Sequence, residues 1–528
     1  MSVGSPLADA ISSLPLWLPI LLLTCVAVST RLVLNYFSPG VQSIPGPFLA
    51  RFSDLWRLTL AYGGHSHLKM MQLHEQYGDV VRIGPNTISV SDPRAIEPIL
   101  GFKTNLNKSK AVVSMMNVYK GKLIPMLISA IDSKTHATIK RPIAQAFSQT
   151  SMSSWETVAD EVIARFVHRV DEEFCHQEKS LGKPCPINDW FQFFAMDFIS
   201  TITFSQPFGF LTKGYDFNGM ISSLEKMMTY IATVGNMPWV DFLLLKNPIF
   251  LMLGSTSSPL VTFDGERIKN RARGLEKSHP ERKDFLSRFF EAKEAYPNVV
   301  DDMLLAAYAN TNILAASDTT AASLSSIVYY VVGNPEVLKR LQQEIDQAKL
   351  SYPVQFKTAQ TLPYLDAVIK EAHRMFVPGG LEQEREVGSA GLQLPTGENL
   401  PPGTVVGYSA WAGHRNKLLF GKDANVFDPD RWLQKDNETN EEHNVRVRKM
   451  HRGISTFGFG PRACLGKNIA MIEIYKLTPT FFGLFAPEMA HPGKEPRVHC
   501  HLTVRFHDFD ITLKWRKPEL REKLQPLL

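Results

Sequence analysis

The chain has 528 residues, 44% of them hydrophobic, enough for a large buried core and too many to need a disulfide framework. Its 57 basic and 52 acidic residues leave a net charge of +5 with no dominant Lys/Arg run, which argues against nucleic acid as a partner and leaves room for an anionic membrane surface or an acidic protein. Five cysteines with no C-x-x-C pair argue against a cysteine-based zinc site and point to a reducing, cytosol-facing setting.

In chain order, Ile11 to Thr30 carries no charged side chain. At ~1.5 Å per residue this is ~30 Å of helix, about one bilayer core. Pro15 and Pro19 push the expected helix start to about Leu16, and Arg31 closes the stretch ahead of the interfacial pair Tyr36 and Phe37. No basic region precedes it, which favours an uncleaved anchor over 1–37 with the remaining chain on the cytosolic side. Ser38-Pro39-Gly40 and Ile44-Pro45-Gly46-Pro47 then form a semi-rigid spacer, 38–48.

Residues 49–528 read as one domain. Val80 to Gly84 and Ile88 to Val90 are expected strands around a Gly-Pro-Asn turn. Amphipathic helical stretches follow at Asp132 to Phe147, Trp155 to Phe174, Asp301 to Val332, Pro335 to Lys349 and Pro363 to Met375. Between Val387 and Val406 the Gly/Pro content and short apolar runs indicate a small sheet. The fold class is therefore mainly α with a small β portion.

The segment Phe457-Gly458-Phe459-Gly460-Pro461-Arg462-Ala463-Cys464-Leu465-Gly466 concentrates chemistry. Glycines at 458, 460 and 466 permit tight turns and close approach to a flat ligand. Arg462 favours thiolate at Cys464, and the apolar stretch Lys467 to Tyr475 is an expected helix whose N-terminus stabilises negative charge on the sulfur. Phe457 is placed to shield that sulfur from water. Upstream, Glu371 and Arg374 share a helix face, Phe427 to Trp432 carries Arg431, and Ala315-Ala316-Ser317-Asp318-Thr319-Thr320 puts an acid beside alcohols inside an apolar helix.

The cysteine segment resembles the haem-binding signature of the cytochrome P-450 superfamily, F-x-x-G-x-R-x-C-x-G, at every fixed position. The anchor, proline hinge, oxygen-activation motif, E-x-x-R and P-x-R-W occur in the family's order. Trp411, His414-Arg415-Asn416 and Phe420-Gly421 are similar to its fungal microsomal branch, many of whose members oxidise secondary metabolites. The resemblance implies the triangular haem-binding prism of that family behind a transmembrane helix in the endoplasmic reticulum. It implies haem b with Cys464 as axial thiolate and metal ligand, and propionates met by His136, Lys140, Arg385 and Arg462. Arg141 competes with Lys140 for that role. Phe457, Gly460 and Gly466 frame the cofactor, and Glu371, Arg374 and Arg431 form a structural charge network. Thr319 and Asp318 would serve dioxygen and proton delivery, with Ala316 standing where the family has glycine.

The implied partners are NADPH-cytochrome P-450 reductase, O2, membrane lipid and a lipophilic small molecule. The last would be read by Lys103 to Pro125, Phe208 to Phe250, Met303 to Leu314, Val377 to Glu384 and His499 to Leu502. A haem-thiolate isomerase or dehydratase needing no external electrons, and a non-catalytic haem protein, are the rivals. The pair Asp318-Thr319 argues against the first, and a cavity for substrate would argue against the second.

Overall fold

The computed structural model describes residues 17–119, 121–175, 182–252 and 258–524. The first part of the expected anchor, 11–16, lies outside the described residues. Helix α1 (Trp17–Tyr36) has 20 residues, a mean hydropathy of 1.9 and no buried side chain. Among the described residues it is the one helix long and apolar enough to cross a membrane. It continues through Arg31 to Tyr36, inside the expected anchor 1–37, because arginine is a good helix former whose long stem carries its charge away from the axis. Pro19 falls in its first turn, where no backbone bond is lost.

The proline-rich segment is held against the domain. Val41 and Ile44 are buried, Arg82 N–H donates to Pro45 O at 2.7 Å, and Arg82 Nη2 donates to Asn35 O at 2.6 Å. The helices that position the site are α2 (Leu55–Tyr62), α3 (Ser133–Lys140), α4 (Gln149–Val170), α5 (Ile187–Phe204), α6 (Met220–Val234), α7 (Asp302–Val332), α8 (Pro335–Gln347), α9 (Pro363–Met375) and α10 (Lys467–Leu484). The long central α7 packs on α5, α9 and α10.

The strands used below are β1 (Val80–Gly84), β2 (Thr87–Val90), β3 (Asn107–Lys108), β4 (Cys185–Pro186), β5 (Gln383–Glu386), β6 (Val405–Tyr408), β7 (Phe485–Met489), β8 (Arg497–Cys500), β9 (Val504–His507) and β10 (Asp510–Trp515). The main sheet has the order β1-β2-β6-β5-β3, antiparallel except for β6 against β2. A three-stranded sheet has the order β7-β10-β4, and β8 and β9 form a separate hairpin. Between β6 and β5, Val406 faces Arg385; across the edge, Lys108 of β3 faces Arg385.

Two expected elements differ. Asp132 to Phe147 is not one helix: α3 ends at Lys140, because Pro142, one residue after the still-helical Arg141, has no N–H to extend the ladder, and a 3-10 turn follows at Ala144–Phe147. Asp132 caps α3, its side chain accepting from Thr135 N–H at 2.8 Å. The apolar helix after the cysteine loop runs to Leu484, well past Tyr475, because everything beyond Glu473 is buried core.

Candidate functional site

The cysteine loop links the helix Asn440–Arg452 to α10. Gly460 has φ +67°, and a Cβ there would meet the backbone carbonyl of Leu100, so no other residue fits without moving a helix end. Gly466 differs from Gly460: its φ is −83° with ψ 4°, outside the left-handed region, and it serves as the N-cap of α10. Cys464 N–H donates to Phe457 O at 2.7 Å and closes the loop. The backbone N–H groups of Gly466 and Lys467 reach the sulfur. Burial pushes the thiol up, while those two N–H groups and the Lys467 ammonium oppose it. The sulfur is deep in the molecule yet open to an internal cavity. The Phe457 ring meets His373 edge to face at 5.5 Å, with the Lys467 ammonium 5.6 Å from its centre.

That cavity has a volume of about 820 Å³. Phe457, Cys464, Arg462 and Arg385 line it together with Thr319 of α7. A smaller chamber of about 190 Å³ adjoins it and is lined by His136, Lys140, Gly466 and, again, Thr319 and Arg462. Lys140 points into this chamber with its Nζ 3.5 Å from Pro461 O, whereas Arg141 is exposed and does not line it.

A group of cations converges between the two chambers, with Asp132 acting on Arg462 only from beyond ion-pair distance. Lys108 lies directly opposite Arg385 in the ladder, an arrangement that like charges disfavour. Burial, Arg385 and Arg462 push Lys108 down to about 7; burial and Arg462 push Arg385 down to about 10. Burial, then Arg462 and Lys140, hold His136 at about 3. Their bonds go to backbone carbonyls: Lys108 to Ile128 at 2.6 Å, Arg462 to Ala130 at 2.7 Å and Ile131 at 3.0 Å, Arg385 to Glu384 at 2.8 Å. Among the described residues none of Lys108, Arg385, Arg462 and Lys140 has an ion-pair partner. Such a group suits a bound polyanion, and with a soft sulfur donor on the same cavity and a glycine-built wall the residues fit a haem with its two propionates.

On α7, Thr319 Oγ1 donates to Ala315 O at 2.7 Å and faces both chambers. Ala316 lines the smaller one, and α7 runs helically past it. Asp318 does not line either chamber. It is buried against α5, where Gln192 Nε2 donates to its Oδ1 at 2.5 Å, and burial raises its pKa. Glu371 and Arg374 are wholly buried and joined by bonds of 2.7 and 2.8 Å; Arg431 Nε lies 3.3 Å from Glu371 and Trp432 Nε1 donates to it at 2.9 Å. This network stands behind the loop rather than in the cavity.

Sequence reasoning did not single out Lys108, Gln192, Asn310 or Glu382. Asn310 lines the large cavity with its Oδ1 buried and unpartnered. Glu382 also lines it; burial pushes its carboxyl to about 8, and it accepts from Ser89. No motif carries these residues. Only their place in the fold marks them, although an asparagine inside an apolar helix was a visible signal. All five stretches proposed to read a substrate contribute to the wall, through Met115, Met228, Leu314, Leu381 and Leu502 among others.

Comparison with known proteins fits this geometry. The family model for cytochrome P450 matches residues 45–508. The cytochrome P450 monooxygenase cfoH of Aspergillus candidus is 35% identical over 93% of this chain and 91% of its own length. The cytochrome P450 monooxygenase vrtE of Penicillium aethiopicum is 35% identical over 92% and 91%. The cytochrome P450 monooxygenase cicH of Emericella nidulans is 37% identical over 90% and 94%. With its cysteine loop, helical core and family match over nearly the whole length, the chain belongs to the cytochrome P450 family as a haem-thiolate monooxygenase.

Proposed function

We propose that Cys464 gives the axial thiolate to haem b, that Lys108, Arg385 and Arg462 receive the propionates together with His136 and Lys140, and that the substrate is an apolar small molecule of secondary metabolism. The observation that carries this reading is the cavity itself: one wall holds the Cys464 sulfur, and the same space receives Lys108 and Arg385, opposed in register with no anion between them. Electrons come from NADPH-cytochrome P-450 reductase. The exposed Arg448, Lys449 and Arg452 on the helix preceding the loop support a basic docking face for it. Helix α1 anchors the chain in the endoplasmic reticulum membrane with the catalytic domain on the cytosolic side. The fungal sources of the relatives support the metabolic assignment.

When bound, haem supplies the activation of dioxygen that lets one oxygen atom enter a C–H bond. The chain supplies the rest. The N–H groups of Gly466 and Lys467 hold charge on Cys464, and Phe457 limits water near it. Thr319 Oγ1, its proton given to Ala315 O, presents an acceptor lone pair to the cavity, and Asp318, kept in place by Gln192, stores a proton behind it. The many methionine and leucine side chains bind an apolar body, while Asn310 offers one amide to orient a polar group on it. A cavity of this size favours catalysis over a non-catalytic haem protein.

The absorption spectrum of the reduced, carbon-monoxide-bound protein tests the assignment, wild type beside Cys464→Ser. A strongly red-shifted Soret band in the wild type, lost in the variant, is the expected result. A histidine-like band in the wild type, or failure to take up haem, would overturn it.

A further inference from the structure

Outside the cavity, the hairpin β8–β9 gathers side chains that the oxidation chemistry does not use. Arg497 faces His507 and His499 faces Arg505 on the antiparallel ladder. With the two-residue alternation of strands, His499, His501 and His507 therefore share one face. Their ligating atoms all lie within 4.8 Å of one another, and the rings of His499 and His501 are 4.3 Å apart. Helix α6 brings Glu225 onto this group, with Oε1 3.1 Å from His501 Nε2 and 3.6 Å from His507 Nε2.

Hydrogen-bond directions define what the group binds. Thr229 Oγ1 donates to Glu225 O at 2.8 Å, which uses its only proton. Its 2.6 Å bond with His501 Nδ1 therefore has the imidazole as donor. In a neutral ring this leaves the Nε2 lone pair pointing at Glu225 Oε1, acceptor against acceptor. The Nε2 atoms of His499 and His507 are buried without a hydrogen-bond partner. A single proton satisfies one such pair; one divalent cation satisfies three ring nitrogens and a carboxylate oxygen together.

We propose that His499, His501 and His507, completed by Glu225, bind a zinc-class divalent cation that fastens α6 to the C-terminal hairpin. Three imidazoles and one carboxylate are borderline donors that favour Zn2+ over Ca2+ or Mg2+. Thr229 on the Nδ1–H of His501 is the kind of outer contact that fixes a ligating tautomer. Backbone and packing contacts hold the hairpin in position. Cys500 N–H donates to Gly64 O at 2.8 Å, and the His499 imidazole lies directly over Gly64, where any Cβ would collide with it. His65 stacks beyond, its ring centre 6.1 Å from that of His499. Metal–nitrogen bonds of about 2.0–2.1 Å require the donor atoms to draw in by roughly 1 Å, within reach of side-chain rotation.

Charge permits it as well. Arg505 is shared between Glu225, at 3.9 Å, and Asp189, at 3.4 Å, so two carboxylates flank one guanidinium and a dication adds little net repulsion. The place matters because both partners wall the cavity, α6 through Met227 and Met228 and the hairpin through Leu502 and Thr503. A cation at this junction ties two walls of the substrate chamber together.

The test uses the full-length, haem-loaded protein carried on a histidine-free tag, dialysed against a chelator and then equilibrated with micromolar ZnCl2. Zinc per haem is read by elemental mass spectrometry and the melting midpoint by calorimetry. About one zinc per haem and a raised midpoint are expected in the wild type. A His499→Gln/His507→Gln double variant should lose the zinc while keeping its haem, and Glu225→Gln should weaken binding by about 10-fold or more. If the double variant fails to fold, His507→Gln alone, at a ring that is 24% exposed, serves in its place. A wild type that takes up no stoichiometric zinc, or a correctly folded variant that retains it, would overturn the proposal. Zinc uptake is read without turnover, so its failure leaves the haem assignment untouched.

Discussion

Replacing Glu371 with alanine removes the one carboxylate around which the region behind the cysteine loop is organised. Its oxygens accept from Arg374 at 2.7 and 2.8 Å, from Trp432 Nε1 at 2.9 Å, from Asp428 N–H at 3.0 Å and from Arg431 Nε at 3.3 Å. After the change Arg374 still reaches the carbonyls of Ala424, His414 and Val426, at 2.6, 2.9 and 3.1 Å, so it stays hydrogen-bonded but loses its counter-charge. Arg431 keeps Asp423, a half-exposed partner at 3.0 Å. Removing one member of a buried pair costs about 3–5 kcal/mol, because the other charge is left desolvated. The total stability of a domain is about 5–15 kcal/mol, so the variant should lose about a fifth of it or more. Urea unfolding of the haem-loaded protein, followed by circular dichroism and by the Soret band, measures the difference. Glu371→Gln, which keeps the shape and one acceptor oxygen, should fall between the two. A loss below about 1 kcal/mol in the alanine variant, the value of an exposed pair, would refute the reasoning.

Lys108→Met and Arg385→Met should each speed haem transfer to apomyoglobin by roughly 10- to 100-fold, as expected for losing a charge-assisted bond of about 1.5–3 kcal/mol; unchanged transfer in both would remove them from the propionate site. Gly460→Ala should yield little haem-loaded protein, since φ +67° disfavours a side chain and the Leu100 carbonyl blocks one, and normal haem incorporation would contradict this. Glu382 gives a pH signature. Its carboxyl is held at about 8 in the fold against 4.5 in the unfolded chain, so between those values the folded state binds the extra proton and stability falls as pH rises. Glu382→Gln should flatten that fall, and unfolding curves at pH 5 and pH 8 would reveal a wild type and variant of equal slope if the idea is wrong. Gln192→Leu should raise the Asp318 pKa further by removing a bond to its charged form, shifting the acid side of the turnover–pH profile upward.

Much of the fold is legible where a segment has one dry face. The helices α8 and α9 show their period in the sequence because one side of each meets water, whereas β1 and β2 are buried on both faces and show instead as short β-branched runs around a Gly-Pro-Asn turn. Helix α5 shows none, since nearly every side chain in Ile187–Phe204 is buried and an all-round apolar helix has no phase. The break at Pro142 is written in the sequence but is outweighed by the amphipathic pattern on either side of it. A lone charge such as Arg31 is a poor marker of a helix end, because backbone hydrogen bonding continues through it into the contacts of Tyr36 with Phe52.

The site divides along a different line. Cys464, its glycine turn and the α10 cap are contiguous, so the chemistry that stabilises a thiolate is local and shows in ten residues. The propionate side is not local. Lys108 becomes a cofactor candidate only because β3 pairs with β5 and sets it against Arg385, a register between segments far apart in the chain that leaves no periodic trace at either end. The same holds for Asp318. Its motif is visible, but its burial against Gln192 of α5 comes from the packing of two helices, so the partner that tunes its proton lies in the helix hardest to see. Residues acting through sequence neighbours can thus be assigned from a motif, whereas those acting through tertiary neighbours, Lys108, Gln192 and the His499–His501–His507 group with Glu225 among them, acquire their chemistry only when the chain is folded.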